Sequence, residues 1–342
     1  MSARDRDWDG VRLHVVTGKG GTGKTTLAAA LALALASGGR KVLLVEVEGR
    51  QGIAQLFDCP PLPYEERKVA VAPRGGDVYA LAVDAEAALL DYLEMFYGLR
   101  RAGQALSRFG AVDFAATIAP GMRDVLLTGK ATEAVRRRVG ADRRRGGGRE
   151  SPPEPFVYDA VVMDAPPTGR IAQFLNVNAE VAGLARVGPI RNHADKVMET
   201  MRSPGTMVHF VTLLEEMPTQ EAVDGAAEIR EVGLNVGAIM VNMVRDPLFD
   251  PASLAAAEAG DLDVESLARG LKAARMDQPE QMARELAAEI TDHALRIKVE
   301  AEIRERLTRL EQPRYELPFL NDGIDLAGLY ALAERLREQG AA

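Results

Sequence analysis

The stretch VVTGKGGTGKTTLAAALALALA, residues 15–36, constrains this chain more than any other. Residues 11–17, VRLHVVT, are apolar and β-branched and read as a buried strand that meets Gly18 at once. Residues 24–36 are rich in Ala and Leu and read as a helix that stops at Gly38-Gly39. A second strand, KVLLVEV (41–47), follows after a few residues. Strand, glycine loop, helix and strand make a βαβ unit with a parallel, right-handed crossover. GKGGTGKT (18–25) fits G-x-x-x-x-G-K-[ST] and sits between strand and helix, where a phosphate-binding loop belongs. Gly18, Gly20, Gly21 and Gly23 leave room for backbone N–H groups to converge on phosphate oxygens, with Thr22 and Thr26 in the same cradle. Lys24 is expected to bridge two phosphates, and Thr25 to give its hydroxyl to Mg²⁺.

The rest of the chain reads as an α/β protein. YDAVVMDA (158–165), MVHFVTLL (207–214) and VGAIMVNMV (236–244) are further strands, the last preceded by a helix over 219–232. Near-continuous apolar strands alternating with helices predict a doubly wound, mostly parallel sheet covered on both faces. The core is assigned to residues 1–85, 156–173 and 206–342, and an inserted helical subdomain to 86–141 and 174–205. Asp84 is expected to cap the helix that opens that insertion. Residues 142–155, DRRRGGGRESPPEP, read as a flexible loop. Residues 252–311 read as charged surface helices. In the insertion and beside it, Leu89, Leu93, Met95, Met122, Leu126, Leu127, Met198, Met201 and Met207 either line a groove for a client helix or form the subdomain's core.

Composition excludes several function classes. A net charge of -8 opposes a nucleic-acid binder working through bulk electrostatics. One cysteine, Cys59, rules out an internal disulfide framework and suits a reducing compartment. The first residues lack a secretory core, and the apolar run 27–36 is too short to span a bilayer, so a cytoplasmic protein is expected. Asp164 ends an apolar strand, where open sheets bind ligands, and is expected to reach the metal. Pro166, Pro167, Thr168 and Gly169 after it are expected to form a switch loop, with Gly169 supplying an amide and freedom to move.

Lys19 makes the loop unusual, because Lys24 already fills the phosphate-lysine position. GKGGTGKT resembles the deviant loop of the ATPases that include ArsA, the tail-anchored-protein targeting ATPase, MinD and the nitrogenase iron protein. VYDAVVMDAPPTGR, VYALAVDAEAALLDYL, APGMRDVLLTGK and PRYELPFLND resemble the ArsA and tail-anchored-targeting branch in particular. The resemblance implies a dimeric Mg-ATPase in which Lys19 crosses to the nucleotide of the other subunit. It implies that Asn242 contacts adenine and that LPFL (317–320), with Pro318 and Phe319, walls the base pocket. It also aligns Glu48 with an aspartate that positions the attacking water, Gly49 with a proline and Gln51 with a histidine. Glutamate can hold a water, but its extra methylene moves the carboxylate.

The chain lacks the C-x-x-C zinc clamp of the targeting ATPase and the cysteines of an arsenite site. Three functions remain open. The first is a dimeric ATPase switching a helical surface for membrane-protein targeting or for an anion or export system. The second is a weakly hydrolysing scaffold in a heterodimer with a paralogous ATPase. The third is a MinD/ParA-like positioning ATPase. Expected partners are a second subunit and a membrane-protein client or membrane, and no nucleic acid.

Overall fold

Strands that are apolar on both faces have to be covered twice, and this sheet is. The computed structural model describes residues 7–97, 121–140, 154–184, 189–321 and 323–342. Its strands are β1 (Leu13–Gly18), β2 (Lys41–Glu46), β3 (Arg67–Val71) and β4 (Asp77–Ala82), then β5 (Ala160–Asp164), β6 (Thr206–Thr212), β7 (Val236–Val244) and β8 (Arg314–Pro318). They form one sheet in the order β3-β4-β2-β5-β1-β6-β7-β8. Neighbours are parallel except β3 against β4. Edge strand β3, Arg-Lys-Val-Ala-Val, is too charged and short to announce itself in the sequence. β8 lies within the segment noted only for its resemblance.

One face of the sheet carries α1 (Lys24–Ala36), α2 (Gly52–Leu56) and the C-terminal α11 (Leu326–Glu338). Helix α1 is apolar on every side because it is buried on every side. Leu329, Leu332, Ala333 and Leu336 of α11 form its outer cover, so the mixed-charge tail is a packed helix. The other face carries α3 (Ala85–Tyr97), α4 (Met122–Arg136), α5 (Thr168–Leu184), α6 (Pro189–Arg202) and α7 (Glu216–Glu231). Asp84 does cap α3, accepting Ala87 N–H at 2.8 Å. The charged region 252–311 is α8 (Pro251–Ala259), α9 (Val264–Ala273) and α10 (Pro279–Thr308), around a small apolar cluster of Ala257, Ile290 and Ala294.

The helical layer does not form a core separate from the sheet. Leu89, Leu126, Leu127, Phe174 and Met201 join Val15, Val45 and Met163 in one continuous cluster, with Met122 packed against it. Met198 is also buried, and Met207 packs on the opposite face. These residues are therefore core and not groove; the side chains of Leu93 and Met95 lie outside the described residues. The boundary assigned between 173 and 174 falls inside the unbroken helix α5. Of the segment 142–155 only Glu154 and Pro155 are described, and its base is pinned. Pro155 accepts Val139 N–H at 2.9 Å beside a bridge between Arg138 and Phe156.

Two histidines are buried side by side in the centre of the sheet. His14 on β1 and His209 on β6 approach to 3.0 Å between Nδ1 and Nε2, and Trp8 meets His209 edge-on. Ala238 N–H donates to His209 Nδ1, so the proton of neutral His209 sits on Nε2 and points at His14. Burial pushes His14 down to about 3, and pushes His209 well below its ordinary value, with His14 adding to the shift. Both are neutral when folded, whereas the unfolded chain protonates them near pH 6.5. Their contribution is thus complete above that pH and is lost as pH falls towards 3. Stability should drop by about 2 kcal/mol per histidine between pH 6.5 and 5. Urea midpoints at pH 7.5, 6 and 5 check this, and His14→Phe should flatten the slope.

Candidate functional site

The loop after β1 is held from three sides. Within it, Thr22 Oγ1 donates to Lys19 O at 2.8 Å. From β7, the buried Asn242 donates Nδ2 to Thr22 O at 2.9 Å. Thr17, at its base, donates Oγ1 to Pro166 O at 2.7 Å. Glycine is required at two places. A Cβ on Gly18 would lie 2.3 Å from Val211 O, and one on Gly23 2.3 Å from Asn242 Nδ2, where φ is also +86°.

Register places the acids beside this loop. Asp164 is the strand partner of both Val16 on β1 and Glu46 on β2, so β2 and β5 finish level while β1 runs two residues further to Gly18. They open on a cavity of about 340 Å³ lined by Gly20, Gly21, Gly23, Lys24, Thr25 and Thr26 and by Glu46, Glu48, Arg50, Gly52, Asp164 and Pro167. Thr25 Oγ1 donates to Asp164 Oδ2 at 2.7 Å. The other oxygen, Oδ1, is buried with no partner among the described residues. Burial pushes Asp164 up to about 6; Thr25 and Lys24 oppose the shift, while Glu46 and Glu48 add to it.

The segment after β2 departs from its alignment. Gln51, set against a family histidine, does not line the cavity. Its side chain donates to Leu62 O at 3.2 Å and accepts Leu62 N–H at 2.7 Å, which pins a loop. Gly49, set against a proline, has φ of 69°, a value proline cannot adopt. Glu46, not picked out in the sequence, is buried in the cavity wall and accepts the N–H groups of Gln51 at 2.5 Å and Ile53 at 3.2 Å. Among the described residues Glu48 has no such backbone partners and makes a loose 3.8 Å pair with the exposed Arg50.

The expected switch loop is shorter than predicted. Thr168 is the first residue of α5 and Gly169 lies in its first turn, exposed, so only Pro166 and Pro167 are loop. Proline before a helix start and a buried Thr in its first turn are helix-opening chemistry. Thr168 donates Oγ1 to Glu221 Oε2 on α7 at 3.1 Å, and Lys19 Nζ pairs with Oε1 of the same carboxylate. Lys19 does not line the cavity that holds Lys24. Glu221 was not legible in the sequence, since α7 carries six acidic or basic side chains of equal standing.

A second cavity, about 540 Å³, adjoins the loop through Asn242. Asn242, Met243, Val244, Arg245 and Phe319 line one side of it, and Leu213, Leu214 and Val299 are also in its wall. The Arg245 guanidinium lies 4.0 Å over the Phe319 ring. Asn242 and Phe319 are thus brought together, with one Asn242 N–H already given to Thr22. Pro318, the exposed end of β8, is not in the lining.

Residues 11–204, which carry this loop, the acids and Thr168, match the family model of the anion-transporting ATPases. The chain belongs to that family. Similarity to other members extends well past the matched stretch. The ATPase BagA of Mycobacterium tuberculosis H37Rv is 53% identical over 331 residues, 97% of this chain and 94% of its own. A Mycobacterium bovis protein named as an ATPase matches to the same extent. A Halobacterium salinarum protein named as an arsenical pump-driving ATPase is 27% identical over 66% of this chain and 34% of its own. Nucleotide-dependent ATPase chemistry is the property this membership supports.

Proposed function

We propose that this protein is a Mg²⁺-dependent ATPase that works as a dimer. Its nucleotide cycle would move the helical layer, in membrane-protein targeting or in an anion or export system. The observation that carries the reading is the convergence of Lys24, Thr25 and Asp164 on one cavity at the carboxyl ends of β1 and β5. Thr25 and Asp164 would hold Mg²⁺, and the unpartnered buried Oδ1 of Asp164 suits a hard cation. When bound, the ion offsets charge on the phosphates. Lys24 and the amides of the glycine loop bind those phosphates. Of the two glutamates facing the cavity, Glu48 is the one with no backbone donor among the described residues, so it orients the attacking water. Asn242 and Phe319, which line the adjoining cavity, would hold the adenine. Lys19, turned from its own cavity, supports a role on a second subunit.

No helix among the described residues is long and apolar enough to cross a membrane, which fits a cytoplasmic protein that meets a membrane client or partner from outside the bilayer. Phosphate release by the purified protein with Mg-ATP tests the reading, and Glu48→Gln should slow it by about a hundredfold. The left-handed Gly49 and the tied Gln51 favour a second reading, a weakly hydrolysing subunit paired with a related ATPase. On that reading turnover appears only when the related chain is added.

A further inference from the structure

Two segments that a nucleotide would touch meet on one carboxylate outside the cavity. Lys19 belongs to the loop after β1, and Thr168 opens α5. Glu221 on α7 takes the Lys19 ammonium on Oε1 and the Thr168 hydroxyl on Oε2, the latter at 3.1 Å. Thr168 is buried, while the Lys19 and Glu221 side chains are 34% and 35% exposed. The Lys19 contact, with Thr168 adding to it, draws the Glu221 carboxyl below its ordinary range. A half-exposed pair of this kind shifts an equilibrium by only about two- to fivefold. That suffices to set where an idle lysine rests. It is too weak to hold the lysine against a phosphate group, which offers more charge and several acceptors.

We infer that Glu221 is the positioning residue for Lys19. It parks the lysine on its own subunit, and yields it to phosphates approaching from outside its own cavity, on a second copy of this chain. When Lys19 leaves, the same carboxylate keeps Thr168 but loses its second anchor on the loop, so loop and α5 respond together. The inference rests on the ATPase reading for the source of the phosphates.

The test uses the full chain as wild type, Glu221→Gln and Glu221→Ala. Mass spectrometry would follow acylation of Lys19 in the ligand-free protein, with Lys130 and Lys196 as internal references. Lys19 should react about two- to fivefold faster in both variants than in wild type, and adding Mg-ATP to wild type should change its rate. Amide exchange in the first turn of α5 should stay near wild type in Glu221→Gln, which keeps an acceptor for Thr168, and quicken in Glu221→Ala. In turnover, Glu221→Gln should lower the ATP concentration for half-maximal rate by a similar few-fold and leave kcat within about twofold. Equal Lys19 reactivity in all three proteins overturns the inference, as does a fall in kcat with no change in Lys19 reactivity. A wild-type Lys19 that is protected yet indifferent to Mg-ATP overturns the release step. A protein that neither binds nor hydrolyses ATP refutes the ATPase reading separately, because the parked lysine is read without nucleotide.

Discussion

Lys24→Ala should lower ATP turnover by about a hundredfold or more, the usual cost of removing one preorganised group from the charge that develops at a reacting centre. Lys24 is nearly buried, and it faces a cavity whose other charged walls include Glu46, Glu48 and Asp164. Without its ammonium those three carboxylates would repel a polyphosphate. Binding should therefore suffer along with chemistry, and the ATP concentration for half-maximal rate should rise. Lys24→Arg should not rescue it, because a planar fork cannot replace a compact charge at the start of a buried helix. Steady-state phosphate release, with circular dichroism to show that α1 persists, checks both variants.

Asp164→Asn should separate function from stability in opposite directions. The amide keeps the shape of the carboxyl and an acceptor for Thr25. It loses the charge that burial already disfavours, as the rise to about 6 from the ordinary 3.8 records. The sign follows from that rise. Below about pH 4 the carboxyl is protonated folded and unfolded, and burying it carries no charge penalty. Between pH 4 and 6 only the unfolded chain ionises freely, and above pH 6 the full penalty applies, about 2–3 kcal/mol. Ligand-free Asp164→Asn should thus melt a few degrees higher than wild type at pH 7.5, while its Mg²⁺-dependent activity falls by at least about a hundredfold. A buried charge retained at such a cost fits a functional site.

What was legible in the sequence had local signatures. Helix α1 spans Lys24–Ala36, as the uninterrupted Ala/Leu run implies, and β7 spans the stretch Val236–Val244. Asp164 stood out because an acid ending an apolar strand has nowhere to point except the sheet's edge. What was not legible depended on contacts distant in sequence or on backbone geometry. Lys19 and Glu221 are 202 residues apart, and nothing in α7 singles out Glu221. Glu46 and Glu48 look interchangeable until the turn after β2 gives backbone donors to one and not the other. The proline pair at 166–167 suits a helix start at Thr168 as well as a longer loop, and only the backbone decides between them. The methionines of the helical layer are core because the sheet needs covering there, a demand visible only once the strands are ordered.

On the proposed reading, Thr25 and Asp164 would hold Mg²⁺ beneath phosphates bound by Lys24. Calorimetric titration of ATP into the purified protein, with Mg²⁺ and with a chelator, tests it most directly. Wild type should bind ATP at least about tenfold more tightly with Mg²⁺, and Asp164→Asn should bind with one affinity in both conditions. Binding of Mg-ATP by Asp164→Asn with undiminished affinity, or no ATP binding by wild type, would contradict it.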